Sequence, residues 1–116
     1  MNDPYIQAIA DRIRAVIANQ PELTLDILAA TLHTSPDTFR TLVGDELGLI
    51  NPALLIDVVA ALVRELAVDP QWLLTGRYDP SIHRRALAIA EDRSENGERA
   101  IQQFVRDQYR KLVTSD

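Results

Sequence analysis

The sequence predicts an all-α protein, and three observations carry that prediction. Apolar residues recur at three- and four-residue spacing along most of the 116 residues. Alternating runs of β-branched or aromatic residues, the mark of half-buried strands, are absent. A capping residue stands directly before proline at Asp3-Pro4, Ser35-Pro36, Asn51-Pro52, Asp69-Pro70 and Asp79-Pro80. Such a pair suits a helix start: the cap side chain accepts an orphan backbone N–H, and the fixed φ of proline fits the first turn. Six or seven helices are expected.

The first helix starts at Asp3-Pro4 with Ile6, Ile9, Ile13, Val16 and Ile17 as its inner stripe, and Asn19-Gln20-Pro21 ends it. Thr24 caps a short second helix to Leu32, with Leu25, Leu28, Ala29 and Leu32 inward. After His33-Thr34-Ser35, Pro36 opens a third helix with Phe39, Leu42 and Val43 inward and Gly44 as its stop. Asn51-Pro52 starts a fourth, Ala53 to Leu66, apolar nearly all round and therefore expected at the centre of the core. Asp69-Pro70 starts a short fifth helix, Gln71 to Thr75, ended by Gly76. Asp79-Pro80 starts a sixth with Ile82, Ala86, Ile89 and Ala90 as its stripe, ending near Arg93. Ser94-Glu95-Asn96-Gly97 reads as a turn or a weakened helix start. The last helix is expected from about Glu98 to Val113, with Ile101, Phe104, Val105, Tyr109 and Leu112 as its stripe.

Composition narrows the function classes. There is no cysteine, which removes disulfides, thiolate zinc sites and cysteine nucleophiles together. The opening MNDPYIQ lacks the basic and apolar regions of a signal peptide. The most apolar stretch, Pro52 to Val63, contains Asp57 and falls short of the roughly 18 residues a membrane span needs. A soluble, cytoplasmic protein with no membrane partner is expected. No glycine-rich phosphate loop and no nucleophile motif is present, so neither an enzyme, a small-molecule substrate nor a cofactor is expected. His33 reads as a turn residue, and His83 as an exposed residue beside Arg84 and Arg85 with no metal-spaced carboxylate pair. Trp72 reads as a core residue.

Residues 25–44 are the informative stretch. Two short helices joined by a three-residue turn make a helix-turn-helix when a small residue marks their crossing and apolar residues flank it. Ala29 is the small residue, Leu28 and Leu32 flank it, and Phe39 and Leu42 supply the inward face of the second helix. His33 occupies the turn position where glycine is usual.

With LTLDILAATLHTSPDTFRTLVGDE, an apolar helix and then LAVDPQWLLTG, the chain resembles the lambda-repressor-like (phage repressor and Cro) helix-turn-helix domain over about residues 5–77. VDPQWLLTG is the most specific part, since Trp72, Leu73 and Leu74 match the short last helix that closes the bundle in that family. The chain departs from the family at His33 and in the loop GDELGLINP. LAATLHTSPDTF and ELGLINP also resemble the helix-turn-helix of AraC-type activators. The repressor-like resemblance implies a five-helix domain over residues 1–78 and a C-terminal helical extension over 79–116. It implies DNA as partner, with the second helix of the motif in the major groove. Carried over, Pro36, Asp37, Arg40, Thr41 and Gly44 would face the groove, and Ser35 and Thr38 would reach phosphate. Arg40 is the strong base reader of that set, suited to a guanine edge. Repressor-like domains commonly bind as dimers, which makes the last helix the candidate for homodimerisation.

Charge opposes this reading. The formal net charge is −5, and residues 1–78 hold ten acids against five bases while residues 79–116 hold seven of each. DNA affinity comes largely from neutralised phosphates, and between Thr34 and Glu46 the single base Arg40 stands against Asp37, Asp45 and Glu46. The alternative is an acidic protein-interaction or dimerisation module that kept the fold without binding DNA. The stripe of the last helix is wide enough either to fold back onto its own chain or to pair with a second copy, and its alternating charges read as a solvated face.

Overall fold

A computed structural model of the protein describes residues 4–19, 26, 27, 29, 30 and 52–114. The described residues form five helices and no strand: α1 (Pro4–Ala18), α2 (Pro52–Leu66), α3 (Pro70–Thr75), α4 (Pro80–Ala90) and α5 (Glu95–Thr114). Residues 26, 27, 29 and 30 are also helical. Four of the five helices begin on a proline, as the cap-proline pairs predict. The caps Asp3 and Asn51, and the pair Ser35-Pro36, lie outside the described residues.

α2 lies at the centre because it has almost no polar side. Leu55, Ile56 and every residue from Val58 to Val63 are buried. α1 brings Ile6, Ile9, Ala10, Ile13 and Ile17 to the same core, and α3 brings Leu73 and Leu74. α4 contributes Ala86, and α5 contributes Ile101, Phe104 and Val105. A single apolar cluster therefore draws on all five helices. The open question about the last helix is answered for this stripe: it packs within its own chain, on α2, α3 and α4. Each buried Leu, Ile, Val or Phe contributes roughly 1.5–3 kcal/mol.

No helix among the described residues is long and apolar enough to cross a membrane.

The chain reverses between α2 and α4 through a network centred on Asp69, which is 4% exposed. One carboxylate oxygen accepts from the Gln71 backbone N–H at 3.0 Å and so caps α3. The other accepts from the Asp79 N–H, also at 3.0 Å. Asp79 in turn caps α4 by accepting from the N–H groups of Ser81 and Ile82. Just before this turn, Ala67 adopts φ 57°, in the left-handed region. Its carbonyl accepts from His83 Nε2 at 2.8 Å, while His83 Nδ1 meets the Tyr78 hydroxyl at 3.1 Å. His83 is thus a half-buried strut engaged at both ring nitrogens, not the exposed residue its sequence neighbours suggest.

α4 ends at Ala90 and α5 begins at Glu95, three residues on either side of the expected bounds. The cause is local hydrogen bonding. The Asp92 carboxylate accepts from both the hydroxyl and the backbone N–H of Ser94, and these two bonds hold its pKa below the ordinary carboxylate range. Ser94 Oγ accepts from the Gly97 N–H, and the Ser94 carbonyl accepts from the Glu98 N–H, which closes the first turn of α5. Gly97 is buried in that turn, where a Cβ would run into the Asp92 carbonyl. Glycine therefore permits close packing here instead of weakening the helix.

Two outcomes are expected. Asp69→Asn lowers stability by about 1–3 kcal/mol, although Asn is as good an isolated N-cap as Asp. An amide offers one acceptor atom and would turn an N–H donor toward a donor at Gln71 or Asp79. Urea denaturation checks this, and an unchanged midpoint would refute the double-acceptor role. Gly97→Ala lowers stability by about 1–3 kcal/mol through overpacking. Helix propensity alone predicts a gain of about 0.5–1 kcal/mol, so the sign of the shift in thermal midpoint decides between them.

Candidate functional site

The expected helix-turn-helix is described at its first helix only. Asp26, Ile27, Ala29 and Ala30 have helical backbone. Asp26 and Ala30 are exposed, Ile27 is half-buried, and Ala29 is fully buried in the common core. The expected small residue of the motif is thus a core residue. The remaining motif residues Leu25, Leu28, Leu32, His33, Phe39 and Leu42 lie outside the described residues. So do all the expected DNA-contacting residues: Ser35, Pro36, Asp37, Thr38, Arg40, Thr41 and Gly44.

The segment that carried the family resemblance most specifically is described in full. α3 buries Leu73 and Leu74 and packs Trp72, half-buried, against the core. Its end is sharp because Gly76 takes φ 81° and returns its N–H to the Trp72 carbonyl at 2.7 Å. A positive φ favours glycine, and a helix terminus in this conformation satisfies carbonyls that the helix leaves free. Arg12, projecting from α1, donates from Nη1 to the Leu73 carbonyl at 3.0 Å. A cation at that end also complements the helix dipole.

This use of Arg12 is one instance of a general pattern. Of the four described bases in residues 1–78, Arg12 binds a carbonyl and Arg14 pairs with Asp11 at 3.1 Å. The Arg64 side chain is 8% exposed; it donates to the Ser94 carbonyl at 3.2 Å and lies 3.6 Å from Glu98. Its Nε is buried without a hydrogen-bond partner among the described residues. Arg77 is exposed, and its guanidinium has no partner among the described residues. In the C-terminal part, Arg93 binds Glu65 and the Arg64 carbonyl, Arg106 pairs with Asp57, and Arg99 donates to Asn96. Arg85 stacks its guanidinium over the Phe104 ring at 5.4 Å, a cation–π contact. Most of the described arginines thus tie helices of this chain together or pair with acids.

No group of three or more metal-ligating side chains occurs among the described residues. The strut between His83 and the Ala67 carbonyl had no sequence signal, because it joins residues 16 apart through a strained backbone position.

Comparison with known proteins returns no matching family model, curated protein or solved structure.

The burial of Ala29 generates a paired prediction. Ala29→Leu overpacks the core around it and lowers stability by about 1–3 kcal/mol. Ala30→Leu, on the exposed side of the same turn, stays within about 0.5 kcal/mol of the parent. Chemical denaturation of both variants checks the helix orientation, and equal midpoints would reverse or remove the assignment.

Proposed function

We propose that the protein is a sequence-specific DNA-binding protein and transcriptional regulator that reads DNA with a repressor-like helix-turn-helix at residues 25–44. The observation that carries this reading is the full burial of Ala29 within helical backbone, at the small-residue position of the motif. The shape of the VDPQWLLTG segment supports it, with Leu73 and Leu74 inward and Gly76 as a left-handed stop. In this reading Arg40 and Thr41 read bases, Ser35 and Thr38 anchor the backbone, and Pro36, Asp37 and Gly44 line the approach. The protein acts in the cytoplasm as a homodimer. A two-fold contact through α5 would use its Tyr109–Val113 end, since Ile101, Phe104 and Val105 are buried within the chain.

The engagement of Arg12, Arg14 and Arg64 leaves Arg40 and Arg77 as the bases of residues 1–78 for phosphate and base contacts. With Arg40 on a base, binding is then expected to show a shallow salt dependence, with a slope of log K against log salt of about −1 per protomer from residues 1–78. Gel retardation of genomic fragments at low salt is the test. Arg40→Ala is expected to weaken retardation by about 1–3 kcal/mol. No retardation, or retardation indifferent to Arg40→Ala, would remove the reading.

A second reading draws on the same arginine contacts. An acidic helical module whose arginines serve internal packing would bind a protein partner or a second copy, and no DNA. It is distinguished by sedimentation of the full chain in the same low-salt buffer: association without DNA retardation favours it. A truncation at Arg93 would not serve, because it removes Ile101, Phe104 and Val105 from the core.

A further inference from the structure

Between α1, α3 and the last turns of α5 lies an open cleft of about 510 Å³. That volume is within the range of small-molecule sites. Its apolar lining includes Ala8 of α1, Leu74 of α3 and Leu112 of α5, and its polar lining includes Arg12, Gln71 and Arg77. Among the described residues two guanidinium groups and no carboxylate line it, so the described lining is positive on a chain of net charge −5.

The fold uses only part of this donor set among the described residues. The bond from Nη1 to the Leu73 carbonyl fixes the Arg12 guanidinium. Its remaining N–H groups meet no acceptor among the described residues. The absence of a side chain at Gly76 keeps the approach open: a Cβ there would stand 2.9 Å from Arg12 Nη2. Arg77 follows directly and is exposed without a side-chain partner among the described residues, and the Gln71 carboxamide is likewise without one. A fixed planar fork with free donors is suited to a carboxylate. The apolar lining beside it suits a hydrocarbon or aromatic body.

We propose that this cleft binds a small organic carboxylate, its anionic head between Arg12 and Arg77 and its apolar body against Ala8, Leu74 and Leu112. Carboxylate binding here does not rest on DNA binding, and a bound carboxylate would occupy Arg77, one of the two bases left for DNA. Because the cleft joins the first helix to the last, a ligand there bridges the two ends of the described fold.

The test is a titration of the ¹⁵N-labelled full chain with sodium benzoate at constant ionic strength. Benzyl alcohol and inorganic phosphate are titrated in parallel. Saturable shifts of the Gly76, Arg77 and Leu112 amides with benzoate are expected, with both controls weaker by at least about tenfold. Arg77→Glu is expected to weaken benzoate by at least about tenfold while leaving the rest of the amide spectrum in place, and Arg77→Lys to retain most of the affinity. Arg77 is exposed, so these variants test the charge without removing the Arg12 contact to α3. Absence of saturable benzoate shifts would overturn the proposal. So would benzyl alcohol binding equally well, phosphate binding equally well, or an Arg77→Glu variant that binds benzoate as the parent does.

Discussion

Asp69 is buried, and both of its carboxylate oxygens accept backbone N–H groups from separate helix starts. A polar group taken out of water must keep its hydrogen bonds, and a charged one more so. Only a chain that brings Gln71 and Asp79 to the same carboxylate meets that condition. The constraint sets the direction of α3, which fixes Leu73 and Leu74 in the core. It also sets the start of α4, from which α4 and then α5 return across α2. The Ala67 carbonyl, turned by its positive φ toward His83, braces the other side of the same reversal. Satisfaction of a few buried backbone groups thus decides how the apolar faces meet.

The arginines obey a related logic. A guanidinium presents five donors in one plane and can satisfy carbonyls where helices end. Arg12 does so for α3, Arg93 for the end of α2, and Arg64 for the carbonyl at the start of α5. Exposed pairs such as Arg93 with Glu65 are worth about 0–1 kcal/mol each. The Arg64 head is different, because removing its partners would leave a buried charge. Counting bases in this chain therefore says little about affinity for polyanions until the internally engaged ones are set aside.

The helix starts were legible because capping is local. A residue that accepts an N–H two or three positions ahead, followed by proline, leaves its mark in adjacent letters. The inward stripes of α1, α2 and α4 were legible for the same reason, since a helix repeats within four residues. What escaped depends on contacts distant in sequence. Gly97 reads as a helix breaker by propensity, yet the Asp92 carbonyl occupies the space a side chain would need. His83 reads as exposed because nothing near it in sequence announces the Ala67 carbonyl. The stripe of α5 predicted burial but not the surface it would meet. Of the expected motif, Ala29 alone has a described side chain in the core, and its burial agrees with the spacing argument.

Packing of α5 within the chain also changes what each function must be built from. An extension free to dimerise could lend its bases and its apolar stripe to a second copy. Instead, that stripe completes a core shared with α1 and α2, so α4 and α5 are part of the same packing unit as the candidate motif's Ala29. A change that loosens α5 would loosen the core around Ala29 as well. The burial of Ala29 and the stability of the Asp69 turn are then coupled through one core. The sign of any such coupling follows from which state buries α5 more completely.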